Sequence, residues 1–202
     1  GSSYDMGRQL FNILKDTDGD IRKYVYIDPT SRIIMDDSYL TIDNYKSQDA
    51  LVIDKYPGKT GVPLRNDIKV FRLSEMYFIL AECAAQEDNY ALAADYIFKV
   101  RTARNFKGTA IAPSYSSKVE ALKDILQERR VELAYEGHRF IDVKRVGPVT
   151  GQTMDRSPID AVSKEIPLSI PINDYRFTLP IPRNELQANS VIQQNPGYKT
   201  TP

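Results

Sequence analysis

Apolar residues in the middle of the chain recur at helical spacing, while those on either side do not. Leu73, Met76, Tyr77, Leu80 and Ala84 follow the i, i+3, i+4, i+7 rhythm that places side chains on one helix face. Ser74 or a neighbour is expected to cap this helix. After a break at Glu87-Asp88, Asn89 opens a second helix whose stripe is Tyr90, Ala93, Ala94, Ile97, Val100 and Ala103. Ala81, Ala84, Ala85, Ala91, Ala93 and Ala94 are small enough for the two helices to approach closely in an antiparallel hairpin. A loop over 105–117, holding Gly108 and Pro113, leads to a longer third helix with Val119, Leu122, Ile125, Leu126, Arg129 and Leu133 inward. Gly137 is expected to break it, and a short fourth helix over 139–145 to end at Gly147-Pro148.

The flanks read differently. Residues 1–70 are turn-rich, punctuated by Asp18-Gly19-Asp20, Asp28-Pro29, Tyr56-Pro57-Gly58 and Val62-Pro63. One short helix is expected over 7–14, and the run Tyr24-Val25-Tyr26-Ile27 fits a strand. In 148–202, Pro158, Pro167, Pro171, Pro180, Pro182 and Pro196 forbid long helices or central strands. Segments 166–172 and 177–181 should run extended and cover apolar surface of the helical body. The fold class is mainly α, with tetratricopeptide-like helix pairs wrapped by long irregular, proline-rich segments. The chain is expected to form a single domain over 1–202: an irregular lead-in (1–70), the helices (71–147) and an extended C-terminal segment (148–202). Two helix pairs alone make an undersized solenoid, so the flanking loops, or helices preceding this chain, should supply further layers.

Charge narrows the function classes. Lys plus Arg is 27 and Asp plus Glu is 27, without a basic run, so nucleic acid is not an expected partner. No stretch of about 18 apolar residues exists, so nothing reads as a membrane-spanning helix. Residues 1–5 carry neither a signal peptide nor a lipobox cysteine, so any export information is expected upstream. The single cysteine, Cys83, falls in an apolar helical pattern and cannot form an internal disulfide.

Catalytic and cofactor motifs fall short on spacing. Asp16-Thr17-Asp18-Gly19-Asp20 resembles the start of a calcium loop, but Ile21 and Ile27 stand where the loop needs glycine and glutamate, so a turn is the better reading. Gly58-Lys59-Thr60 lacks the earlier glycine of a phosphate loop, since position 53 is Ile53. His138 is the only histidine, which starves both triad chemistry and zinc ligation. No cofactor and no metal are expected. Glu128, Glu132 and Glu136 share a helix face, and a glycosidase needs two carboxylates roughly 5–9.5 Å apart. However, Arg129, Arg130, Arg139 and Arg145 lie close in sequence, and arginine pairing lowers a carboxyl pKa, the wrong direction for a general acid. These charges are therefore expected to tie one helix pair to the next.

The aromatics are 13 Tyr and 7 Phe, with no Trp. Sugar-binding surfaces combine flat aromatic faces with polar neighbours. Tyr39, Tyr45, Tyr56 and Tyr115 sit in polar, loop-like contexts, whereas Tyr77 and Tyr135 are expected in the core.

From Arg72 onward the chain resembles the C-terminal half of SusD/RagB proteins. The carriers are Arg72-Leu73-Ser74-Glu75-Met76-Tyr77-Phe78-Ile79-Leu80-Ala81-Glu82, the segment from Glu128-Arg129-Arg130 through Glu136-Gly137-His138-Arg139 to Val146-Gly147, and Leu179-Pro180-Ile181-Pro182-Arg183-Asn184-Glu185-Leu186 followed by Gln194-Asn195-Pro196-Gly197-Tyr198. Asp20-Ile21-Arg22 and Lys55-Tyr56 fit looser elements upstream. One departure is Asn189-Ser190, where the family places proline after asparagine; another is the missing N-terminal half with its lipid-bearing cysteine. The resemblance implies a surface-exposed outer-membrane lipoprotein, anchored by lipid upstream of this chain. It implies non-catalytic capture of oligosaccharide nutrients and their delivery to a TonB-dependent, SusC-like transporter. A peptide-capturing or purely protein-interacting helical module is the alternative. The motif residues Glu128, Arg129, Glu132, Arg139, Asp142 and Arg145 are expected to be structural. Tyr39, Tyr45 and Tyr115, with Arg32 as a polar neighbour, are the expected ligand contacts.

Overall fold

The computed structural model describes residues 5–32, 50–62, 65–161 and 165–199. Its frame is four helices in two successive pairs: α3 (Leu73–Gln86) with α4 (Tyr90–Arg104), and α5 (Lys118–Glu132) with α6 (His138–Thr150). Two shorter helices, α1 (Arg8–Asp16) and α2 (Arg22–Tyr26), precede them, and α7 (Arg183–Ala188) follows. The fold is thus mainly α. Two of the four longer helices, α4 and α5, begin where their sequence caps them. Asn89 accepts a hydrogen bond from the Leu92 N–H at 3.2 Å, and the Ser117 hydroxyl accepts one from the Glu120 N–H at 3.2 Å.

The main core lies between α3, α4 and α5. Phe78, Ile97, Leu122, Ile125 and Leu126 fill it, and Ala81, Ala84, Ala85, Ala93 and Ala121 bring the helix axes together. The buried face of α3 is not the expected one. Leu73 is 70% exposed and Leu80 45%, while Ser74, Phe78, Ala81 and Ala85 face inward. This helix is apolar almost all round, so periodicity alone does not choose its inner face, and the small residues that permit close approach do. Ser74, expected as a cap, is instead buried in the first turn, and Arg72 occupies the capping position.

A second core forms on the other side of α5. Met6, Leu10, Phe11 and Leu14 of the N-terminal segment pack with Tyr26, Leu51, Val131 and Ala134. The lead-in is therefore a packed layer. Backbone bridges Asp5–Val52, Ile27–Ile53 and Arg32–Ala50 tie it together. Residues 22–26 form a helix where the short apolar run 24–27 suggested a strand. Helical spacing turns both Arg22 and Tyr26 inward and leaves Tyr24 and Val25 outside, which a strand cannot do.

The end of the third helix also differs from expectation. It stops at Glu132, five residues before Gly137, because side chains from outside claim its last carbonyl. Tyr26 Oη donates to Glu132 O at 3.1 Å, Lys55 Nζ at 2.8 Å and Arg72 Nη2 at 2.7 Å. The chain then passes through a left-handed Tyr135, which is 41% exposed and not a core residue. The fourth helix continues through Pro148 to Thr150. Gly147 does not terminate it; it gives room for the C-terminal segment. A Cβ there would come within 2.7 Å of Ile172 Cδ1 and 2.8 Å of the Gln152 carbonyl.

We expect Gly147→Ala to lower stability by about 1–3 kcal/mol in urea unfolding. Alanine's helix propensity favours it over glycine by about 1 kcal/mol, so a stabilised variant would show that the tail yields instead.

The C-terminal segment crosses the helices largely without regular structure. Met154–Asp155 (β1) pairs antiparallel with Ser169–Ile170 (β2), and Phe177 is buried, stacked on Phe140 at 5.4 Å. This segment does cover apolar surface, as its composition suggested.

Candidate functional site

Because α5 has a core on each side, three of its charged residues are buried with it. Glu128, Arg129 and Glu132 are 5%, 6% and 0% exposed, and each has an ion-pair partner. Glu132 receives Arg104 Nη2 at 2.6 Å, Arg72 Nη1 at 3.1 Å and Arg22 Nη1 at 3.2 Å. Glu128 meets Arg22 Nη1 and Arg101 Nε, both at 2.8 Å. Arg22 also holds Asp20 at 2.6 Å, and Glu136 pairs with Lys55 and with Arg72. The partners of the three glutamates therefore come from α2, the 50s segment, Arg72 at the start of α3, and α4, and not from the neighbouring arginines of α5 and α6. Arg129 instead pairs with Asp142, and Arg145 with Glu82 and Asp142. Burial alone would raise the Glu132 pKa; the Arg104 hydrogen bond and the charges of Arg22, Arg104 and Arg72 overcome it and bring it to about 2. Glu132 therefore keeps no proton to donate at neutral pH, and with Glu128 and Glu136 also held by arginine or lysine the row forms an ion-pair lattice.

Above this lattice lies a cleft of about 670 Å³ between the N-terminal segment, α4 and α5. Arg22, Arg101, Arg104 and Glu128 line it, together with Asp18, Asn105, Thr109 and Ile111. Its edge is unusually well tied. Asn105 donates from Nδ2 to the Asp18 carbonyl at 2.7 Å and accepts at Oδ1 from the N–H groups of Lys107 (3.0 Å) and Thr109 (3.1 Å). The Phe106 N–H donates to Gly19 O at 2.9 Å, and the Ile21 N–H to Arg104 O at 2.9 Å. Gly19 must be glycine here: its φ is +71°, and a Cβ would sit 2.7 Å from Asn105 Oδ1. The Asp18 and Asp20 carboxylates, read above as the start of a failed calcium loop, are engaged by Lys107 and Arg22.

On α2, just after this turn, and on the loop after α4 stand two exposed aromatic residues. Tyr24 is 61% exposed and Phe106 58%, with ring centroids 5.9 Å apart and planes at 68°. Sequence context did not single them out, because Tyr24 read as a strand residue and Phe106 as an isolated loop residue. The signal that finds them is tertiary, the pairing of residues 18–21 with 104–106.

The residues expected to contact ligand are placed as follows. Tyr39 and Tyr45 lie outside the described residues. Arg32 is exposed, and its backbone pairs with Ala50 in both directions at 2.9 Å. Tyr115 is partly buried against the main core and donates from Oη to Asp124 Oδ2 at 2.6 Å. Burial and that bond hold its hydroxyl above the ordinary phenol range. Arg32 and Tyr115 line no common cleft among those found in the described residues.

Comparison with known proteins places this geometry in a family. The sequence model of the SusD family matches residues 18–198. A SusD-like protein of Formosa agariphila is 33% identical over 143 residues, which are 64% of this chain and 24% of that protein. Among solved structures, a candidate sugar binding protein of Bacteroides vulgatus superposes with a TM-score of 0.65 at 26% identity, over 96% of this chain and 39% of that one. A SusD superfamily protein of Bacteroides fragilis gives 0.67 at 21% identity, over 98% and 41%. The chain thus spans about a quarter of the curated relative and about two fifths of the two solved ones.

Proposed function

The chain belongs to the SusD family, and from that premise we propose that it serves non-catalytic capture of oligosaccharide nutrients at the outer-membrane surface. Delivery of the sugar to a TonB-dependent, SusC-like transporter completes the reading. The observation that carries it is the family match across 18–198, and the likeness to the Bacteroides vulgatus protein supports it. The arginine-bound glutamates agree, since Glu128 and Glu132 are engaged by guanidinium groups and hold a scaffold together. Tyr39, Tyr45, Tyr115 and Arg32 remain the proposed ligand contacts.

The test is a calorimetric screen of this chain against plant, host and storage oligosaccharides, with a reducing-end assay on every mixture. Binding without new reducing ends is the expected result. Release of reducing ends would make the chain a hydrolase, and silence across the panel would remove the sugar-binding role from it. A second reading, a protein-contacting module, has one observation in its favour. Ile68, Val70, Phe71, Leu73, Ile79 and Leu80 are exposed along one stretch of chain and the start of α3.

A further inference from the structure

We infer that a second, cationic cleft, where α2, the 50s segment and the approach to α3 meet the end of α4, is a subsite for a sugar carrying a single oxyanion group, carboxylate or sulfate, received by Arg104 and Lys69. The inference rests on the capture reading above and adds the charge that the ligand carries.

The cleft encloses about 400 Å³, within the roughly 300–1,000 Å³ of small-molecule sites. Arg22, Lys55, Lys69, Arg72 and Arg104 line it, and Glu132 is the one acid among its described lining residues. The carboxylates that balance these cations lie beneath the surface. Glu132 has no exposed area and Asp20 and Glu128 are buried, whereas the Arg104 side chain is 32% exposed and that of Arg72 21%. Positive charge therefore faces the opening, where low-dielectric walls focus it on an entering anion.

Two donors remain open at that surface. Arg104 gives Nε and Nη2 to Glu132 and leaves Nη1 with no acceptor among the described residues. Arg104 also borders the larger cleft, but Asp16, Asp18 and Asp20 stand there with it and disfavour an anion. Lys69 is exposed and in no ion pair among the described residues, and its neighbour Asp67 is taken by Lys59 at 3.0 Å. In the lattice below, Arg22, Lys55, Arg72, Arg101 and Arg104 are matched by Asp20, Asp124, Glu128, Glu132 and Glu136. Lys69 is thus the charge left over, and one negative charge on the ligand balances it. Arg72 Nε, buried without an acceptor, adds to the surplus of donors. A carboxylate or sulfate oxygen accepts charge-assisted bonds from such groups, which a neutral sugar hydroxyl matches less strongly.

The remaining wall suits the body of a sugar. Ile21 and Val25 are exposed along it, and the half-buried ring of Tyr56 stands beside them. Lys55 Nζ lies 5.8 Å from the Tyr56 centroid, so the aromatic wall shares the cationic surroundings. An apolar wall with a few charged groups at one end orients a ring that carries its charge at one edge.

The experiment uses the isotopically labelled chain and four probes: methyl glucuronoside, a sulfated methyl glucoside, neutral methyl glucoside and inorganic sulfate. Amide shifts of Ile21, Val25, Tyr56 and Lys69 should move with at least one of the two charged sugars, less with inorganic sulfate, and not with the neutral glucoside. Whichever charged sugar binds tighter identifies carboxylate or sulfate. Added salt should weaken that binding. Lys69→Glu should weaken it by about fivefold or more, and Lys69→Gln by less. Both variants should unfold thermally like wild type, because Lys69 is exposed. An equal response to the neutral glucoside overturns the charge requirement, and inorganic sulfate binding as tightly as the sugars overturns the sugar ligand. Unchanged affinity in Lys69→Glu, or no shift at these amides with any probe, overturns the subsite. The oligosaccharide screen judges the capture reading separately: binding there keeps it when the subsite fails, and silence in both ends both.

Discussion

Glu132→Gln is expected to destabilise the protein by about 3 kcal/mol at neutral pH, measured by urea unfolding. The side chain is fully buried and receives three guanidinium groups. Glutamine keeps the volume and removes the charge, which leaves the arginines facing one another. The cost is not the same for each. Arg22 retains Asp20 and Glu128, and Arg72 retains Glu136, while Arg104 loses its acidic partner among the described residues but is a third exposed and can turn to water. That relief places the loss near the lower end of the roughly 3–5 kcal/mol seen when one partner of a buried pair is removed. A loss below about 1 kcal/mol would mean that water already screens the lattice.

The acid limb of stability gives an independent check. The Glu132 pKa falls from an ordinary 4.5 to about 2 on folding. A depressed folded pKa contributes stability that is complete above the unfolded value and lost as pH drops through the folded one. Wild type should therefore shed about 3 kcal/mol from this group between pH 4.5 and 2. Glu132→Gln should lack that share of the slope. Parallel acid limbs in the two proteins would show that other carboxylates set it.

How much of this was legible beforehand follows from the range of the interactions. Helix existence and two of the caps are local: Asn89 bonds three residues ahead, and the alanines of α3 and α4 mark a close hairpin joined by three residues. Those features could be read directly. The role of Glu128, Glu132 and Glu136 as structural ties was also readable, but their partners were not. Arg22 lies 110 residues from Glu132, and Arg72 lies 60. No periodicity reports such a pairing, and the nearer arginines of α5 and α6 were the plausible wrong answer. The helix at 22–26 was missed for the same reason, because its inward residues are an arginine and a tyrosine that only the lattice explains. The exposed aromatic pair was equally hidden, since Tyr24 and Phe106 meet only once residues 18–21 and 104–106 have paired.

Phe78→Ala should be the most damaging single truncation in the main core, at about 3–5 kcal/mol. The ring is fully buried in the cluster that holds Ile97, Leu122, Ile125 and Leu126 together with Ala81, Ala84, Ala85, Ala93 and Ala121, and the alanines are too short to fill the space it leaves. The Arg129 guanidinium lies 5.9 Å from the ring centroid, so its removal also bares a buried cation on one face. Both effects favour the upper part of the range. Leu80→Ala is the matched comparison, because sequence periodicity puts Leu80 inside while the structure leaves it 45% exposed. With the helix face as observed, that change should cost less than about 1 kcal/mol. A large loss at Leu80 together with a small one at Phe78 would mean that α3 buries its other face in solution. Large losses at both would mean that a further layer covers Leu73, Leu80 and their neighbours, and would point to protein contact on that face.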